Sequence, residues 1–234
     1  MSHKKTILLK LTGDVIYHTP HGLNAERVRS IALQLKQLKD AFSFSIVIGG
    51  GNFFRGAQQA SQVSISPHVS HYVGMLATCM NGLIIQDIFE ASGIKTVLLS
   101  ALEAPEIGMA ISPQAIRKAD EEERCIIFTG GTGNPYFTTD TNAVLRALQV
   151  RASELWKGTK VEGVYTKDPR LHPDAQFIRT LSYREALEKE LGIMDLSAFA
   201  LAEQHKMPLR IFNIFTDDAL IHAAYNDFGS TIKT

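Results

Sequence analysis

Residues 45–56 read SIVIGGGNFFRG: a short apolar run, three glycines in a row, and Arg55 close behind. Two further turns share this character, KLTGD at 10–14 and TGGTGNPYFTTD at 129–140, each after an apolar run. Glycine lets a backbone approach a ligand closely. Free N–H groups at a following helix start attract anions, and a guanidinium fork suits a phosphate. Any one of these turns reads as a tight connection, because short glycine motifs recur by chance. In an open parallel sheet, however, the loops at the carboxyl ends of the strands share one edge, and ligands bind there. Three glycine turns on that edge, with Lys10 and Arg55 beside them, point to a polyphosphate. Lys10 interrupts an apolar strand, either as an edge residue reaching solvent or as part of a site. Asp140 and Asp195 each stand at a helix start and could be caps; Asp168, before Pro169, could be a turn former. Spacing alone does not rank the three carboxylates.

Several familiar chemistries are absent from the chain. It has no G-x-x-x-x-G-K-[ST] loop, no G-x-G-x-x-G after the first strand and no G-x-S-x-G elbow. No histidine or cysteine cluster has zinc spacing.

The elements that must hold the turns are legible from periodicity. TILLKL, FSIVIGG, KTVLLSA, RCIIFTGG and PLRIFNIF read as strands. In NAERVRSIALQLKQLKDAF, the residues Val28, Ile31, Ala32, Leu35 and Leu38 recur at helical spacing behind Asn24 as N-cap. HYVGMLATCMNGLIIQDIFEASG is apolar nearly all round and stops at Gly93, as a buried helix or one that also packs on another subunit. SYREALEKEL opens with a capping box, Ser182 with Glu185. TKVEGVYTKDPRLHPDAQF lacks helical period and reads as a hairpin or loop excursion. Strand and helix in alternation imply an α/β fold with a mainly parallel sheet covered on both faces.

Composition narrows the partners. The 234 residues carry 24 Lys plus Arg against 24 Asp plus Glu. A net charge of zero argues against nucleic acid, though not against a small phosphate ligand. Cys79 and Cys125 lie among apolar residues and read as reduced core residues of a cytoplasmic protein. The opening residues are too briefly apolar for a signal peptide, and no later segment reads as long enough to span a bilayer.

KLTGD, VIGGGNFFRG, GMLATCMNGL, GGTGNPYFTTD, TKVEGVYTKDP and EKELGIMDLSAFALA together resemble bacterial UMP kinases, within the amino acid kinase family. The resemblance runs from about Ile7 to Ile232, and GTGNPYFTTD is its most specific stretch. It implies a three-layer α/β/α sandwich in a single domain, 1–234, assembled as a homohexamer (a trimer of dimers). The implied activity is transfer of the γ-phosphoryl of ATP to UMP, in pyrimidine nucleotide biosynthesis. Magnesium is implied too, held mainly by the nucleotide phosphates and water, as its octahedral preference allows. Lys10, Leu11, Thr12 and Gly13 match the first phosphate-binding turn. Gly51 and Arg55 match positions along the ATP phosphates, and Gly50 one at the UMP phosphate. Thr132, Gly133, Asn134, Pro135, Tyr136, Phe137, Thr138 and Thr139 match the loop that holds UMP. Thr159, Tyr165 and Asp168 match positions around adenine and ribose. Asp140 and Asp195 match acidic residues of the catalytic region, with Asp195 expected to orient Lys10.

The chain also departs from the family pattern. His71 stands where an aspartate usually contacts the UMP ribose, and it is expected to face the same nucleoside. SISPHVS lacks the usual basic residue, GMAISPQAIRKADEEER replaces an arginine-rich stretch, and HTPHGLN replaces a glycine-rich one. Two rival readings are a relative acting on a carboxylate or carbamate and a non-catalytic nucleotide-binding protein. GTGNPYFTTD opposes the first, and the joint retention of Lys10, Arg55, Asp140 and Asp195 opposes the second.

Overall fold

The computed structural model describes residues 4–18, 22–53, 65–189 and 191–233. Its frame is a nine-stranded sheet built on β1 (Lys5–Leu11), β4 (Phe42–Ile48), β5 (Thr96–Ser100), β6 (Met109–Ala110), β7 (Cys125–Thr129), β8 (Glu154–Thr159), β11 (Thr180–Ser182), β12 (Leu209–Asn213) and β13 (Ser230–Lys233). Across the sheet the order is β11-β13-β12-β8-β1-β4-β7-β5-β6. Only the β12–β13 pair is antiparallel. Two short hairpins stand apart from it: β2 (Tyr17–His18) with β3 (Gly22–Leu23), and β9 (Val164–Tyr165) with β10 (Phe177–Ile178). The second realises the excursion expected from TKVEGVYTKDPRLHPDAQF.

Central parallel strands are buried on both faces, which is why they read as continuous apolar runs. In β1, Ile7, Leu9 and Leu11 enter one core layer and Leu8 the other, as the two-residue period requires. The first layer lies under α1 (Ala25–Leu38), α2 (Pro67–Ala91) and α7 (Ala219–Tyr225) and includes Phe89, Trp156 and Phe212. The second lies under α3 (Pro113–Glu121), α4 (Thr139–Gln149), α5 (Tyr183–Glu188) and α6 (Leu196–Gln204). Asn24 caps α1 by accepting from Arg27 N at 3.0 Å, and Ser182 and Glu185 form their capping box at α5. Cys79 and Cys125 are both buried and unbridged.

The structure adds one strand to those expected. ELWKGT, whose apolar run is broken by Lys157 and Gly158, forms β8, next to β1 at the centre of the sheet. The expectation that no segment could span a bilayer fails on length: α2 has 25 residues and is long and apolar enough to cross one. Here it lies on the sheet instead, with Met75, Thr78, Cys79, Gly82, Ile85 and Phe89 turned inward.

Gly82 is what lets α2 lie so close. A Cβ at that position would meet Thr129 Cγ2 at 2.2 Å and Leu98 Cδ1 at 3.2 Å. Gly82→Ala is therefore expected to lower stability by roughly 1–3 kcal/mol, the usual cost of overpacking a filled core. Urea unfolding should show a lower midpoint with an unchanged slope.

Candidate active site

β1 and β8 run parallel in a register that sets Lys10 opposite Lys157. Both lie on the same face as their partners Leu8 and Leu155, which belong to the layer under α4. Asp140, in the first turn of α4, reaches down between them. Lys157 Nζ donates to Asp140 Oδ2 at 2.7 Å and to the Ile193 carbonyl at 2.5 Å. Lys10 Nζ stands 3.1 Å from Asp140 Oδ1 as an ion pair, and that oxygen receives no aligned hydrogen bond. All three side chains are about five-sixths buried. Burial pushes the Asp140 carboxyl up, but the two ammonium groups outweigh it and hold the group below its ordinary value. Burial pulls Lys157 down, and the Asp140 charge offsets this only in part.

The three glycine turns close around this row, since β1, β4 and β7 are neighbours in the sheet. The first two turns nearly touch: a Cβ on Gly13 would sit 2.8 Å from the Gly49 carbonyl and 2.1 Å from Asn52 Oδ1. Thr12 caps the short turn Gly13–Val15 that follows β1. A cavity of about 790 Å³ opens beside the second and third turns. Gly50, Gly51, His71, Thr132, Asn134, Phe137, Thr138 and Thr139 line it. Tyr136 is 66% exposed, has a left-handed φ of 70° and sets its ring 5.1 Å from that of His71. Gly133 faces the Ala101 backbone rather than the cavity, and Pro135 is not among the lining residues.

A second cavity, of about 410 Å³, is lined by Lys157, Thr159, Tyr165, Asp168 and Gly192, among others. Asp168 is also the turn former read from the sequence. Arg170 grips its carboxylate at 2.8 and 3.0 Å through the guanidinium and at 3.0 Å through its backbone N–H, holding the carboxyl down at about 2.

Asp195 does not orient Lys10; Asp140 does. Asp195 caps α6 through Ala198 N at 3.0 Å and accepts from the Thr138 and Thr141 hydroxyls, so it braces the start of α4. Asp140 in turn is not the cap of α4, which is Thr138. Two residues escaped the sequence reading. Lys157 carried the same signal as Lys10, a charge inside a strand. Asn142, 2% exposed, lines the larger cavity with its Oδ1 unpartnered, and nothing in TNAVLRA marks it. Arg55 lies outside the described residues. Among those residues no three His, Cys, Asp or Glu side chains gather as a metal site. A further cavity, of about 760 Å³, lies at the opposite end of the sheet with Lys36, Lys39 and Lys95 on its rim. Helices end there, and cations near their carbonyl ends are favoured, as in the bond from Lys36 Nζ to the Ser92 carbonyl.

A family model described as the amino acid kinase family matches residues 5–213. The chain belongs to that family. It is 41% identical over 227 residues to the uridylate kinase of Sulfurovum sp. (strain NBC37-1), covering 96% of this chain and 97% of that one. It is 41% identical over 218 residues to the uridylate kinase of Haemophilus influenzae (strain ATCC 51907 / DSM 11121 / KW20 / Rd), covering 92% of each. The fold matches the crystal structure of UMP kinase from Ureaplasma parvum with a TM-score of 0.94 and 31% identity, over 99% of this chain and 100% of that one. It matches the UMP kinase structure from Bacillus anthracis with a TM-score of 0.92 and 26% identity, over 98% and 96%. The α/β/α amino acid kinase fold is thus the scaffold that brings the two lysine strands together.

Asp140 makes a pH-dependent contribution to stability. Its folded carboxyl titrates below the unfolded one, so its contribution is full above about pH 4 and is lost as pH falls through the lower folded value. Asp140→Asn leaves two ammonium groups facing each other and should cost roughly 3 kcal/mol at neutral pH. Urea unfolding of wild type and variant should converge as pH drops below about 4.

Proposed function

We propose that the chain transfers the γ-phosphoryl group of ATP to UMP, yielding ADP and UDP, within one domain spanning residues 1–234. The observation that carries this reading is the Lys10–Asp140–Lys157 row between two cavities. Thr138 and Thr139, just before Asp140, line the larger cavity, and Lys157 lines the smaller. UMP takes the larger one, against Gly50, His71, the Thr132–Thr139 loop and Asn142. Adenosine takes the smaller, against Thr159, Tyr165 and Asp168. The phosphates meet over Thr12, Gly13 and Gly51, and Arg55 is assigned there from the sequence. Relatives named uridylate kinase support UMP as the acceptor.

In this mechanism a UMP phosphate oxygen attacks the γ-phosphorus while the bond to the β–γ bridging oxygen breaks. The acceptor is already an anion, so no general base is required; alignment and charge stabilisation dominate. Lys10 and Lys157 offer two fixed cations to the oxygens of the moving group. Asp140 holds them together against their repulsion. Asp195 acts indirectly, by bracing Thr138 and Thr141. Magnesium enters with ATP as part of the substrate; the Asp140 and Asp195 carboxylates are engaged by lysines and threonines, which leaves coordination mainly to phosphates and water.

Assembly belongs to the same reading. Val69, Leu76, Met80 and Leu83 form an exposed apolar stripe along α2, opposite its buried face. We assign this stripe to pairing with a second copy, as one interface of a cytoplasmic homohexamer.

A coupled assay of ADP release with UMP, CMP and dCMP tests the activity, with UMP expected to be preferred. Lys10→Ala and Lys157→Ala should each lower kcat by roughly two to three orders of magnitude, the loss typical of one preorganised donor. Near-normal turnover in either variant removes that lysine from the mechanism.

Met80→Glu should lower the particle mass in light scattering while the chain stays folded. An unchanged mass would exclude Met80 from any contact that controls assembly.

A further inference from the structure

Asn81 is completely buried, yet it is polar and sits on the apolar inward side of α2. Its side-chain capacity is well used. Nδ2 donates to the Gly49 carbonyl at 2.7 Å and to Asn52 Oδ1 at 2.7 Å, and Oδ1 accepts from Asn52 Nδ2 at 2.9 Å. A buried amide is costly unless satisfied, and an apolar side chain would fill the space without that demand. What Asn81 adds is a grip on the turn after β4. The same turn is pressed against α2 about two helical turns earlier, where a Cβ on Gly50 would lie 2.6 Å from the Gly74 carbonyl.

Thr78 does the same for the turn after β7. Its buried hydroxyl accepts from Gly130 N at 2.9 Å and donates to the Met75 carbonyl at 2.7 Å. Residues 78 and 81 are three apart and so share one helix face. One helix therefore holds two separate glycine turns, and both border the larger cavity. The opposite face of that helix carries the exposed apolar stripe.

We propose that Thr78 and Asn81 are positioning residues. Through them α2 sets the spacing between the backbone of Gly49–Asn52 and that of Gly130–Gly131, and with it the geometry in which the acceptor phosphate meets the lysine row. This inference rests on the proposed UMP phosphorylation. A displacement of about 1 Å in such a frame can cost around a hundredfold in rate.

The test compares Thr78→Val, which keeps the shape and removes the hydroxyl, with Thr78→Ser, which keeps the hydroxyl, and with Asn81→Ala. All are assayed well below their own melting temperatures. Thr78→Val and Asn81→Ala should lower kcat/KM for UMP by at least about tenfold while KM for ATP stays within about twofold, and Thr78→Ser should stay within about threefold of wild type. Loss of stability with kcat/KM unchanged, equal effects of Val and Ser, or a parallel rise in both KM values would each overturn the proposal. Amide hydrogen exchange gives a readout independent of turnover. Exchange across residues 127–133 should speed up in Thr78→Val but not in Thr78→Ser, and exchange across 46–53 should speed up in Asn81→Ala. If wild type fails to phosphorylate UMP while these exchange changes appear, the functional reading fails and the tie between α2 and the turns stands. If exchange is unchanged in both segments, the tie itself is refuted.

Discussion

Two ammonium groups on adjacent strands repel one another, and Asp140 is what allows them to stay. The parallel register of β1 and β8 leaves no choice about proximity, because Lys10 and Lys157 are Cα partners on one face. In a site largely shut off from water their repulsion is poorly screened. A single carboxylate at the start of α4 answers both, and its position depends on Thr138 capping the helix and on Asp195 bracing that cap. The order of dependence therefore runs from sheet register to helix start to charge. Each step constrains where the next can be.

The glycines answer a second constraint, that of distance. Three turns converge at the carboxyl ends of β1, β4 and β7, so closely that the Asn52 side chain lies directly against Gly13. The gap between Gly13 and Gly49 is already too small for a Cβ. Bare backbone in so small a space lets a ligand come close to the turns and the lysine row. It also leaves the turns with little packing of their own. Their rigidity must come from elsewhere, and α2 supplies part of it through Thr78 and Asn81.

That dual use explains the odd composition of α2. A helix with one apolar face would pack on the sheet and meet solvent on the other side. This one buries Met75, Ile85 and Phe89, inserts two hydrogen-bonding residues among them, and still exposes Leu76, Met80 and Leu83. Each of the three surfaces has its own addressee: the core, the glycine turns, and in the proposed assembly a second copy.

Much of this was written in local sequence. The alternation of apolar runs with helical periods specified an α/β fold, because backbone preference and hydrophobic period act over a few residues. Asn24, the Ser182–Glu185 capping box and the three glycine turns were legible for the same reason. So was Lys10, as a charge in a strand. The tertiary structure decided what these residues do to one another. Lys157 bears the same mark as Lys10, but Lys157 and Gly158 interrupt the apolar run of ELWKGT, and it is fixed as a strand only when its neighbours bury it. Asp140, Asp168 and Asp195 look alike as caps or turn formers. They separate only when packing gives the first to two lysines, the second to Arg170 and the third to two threonines. Register and packing join residues far apart in the chain, and no local pattern records which distant charge a carboxylate will meet.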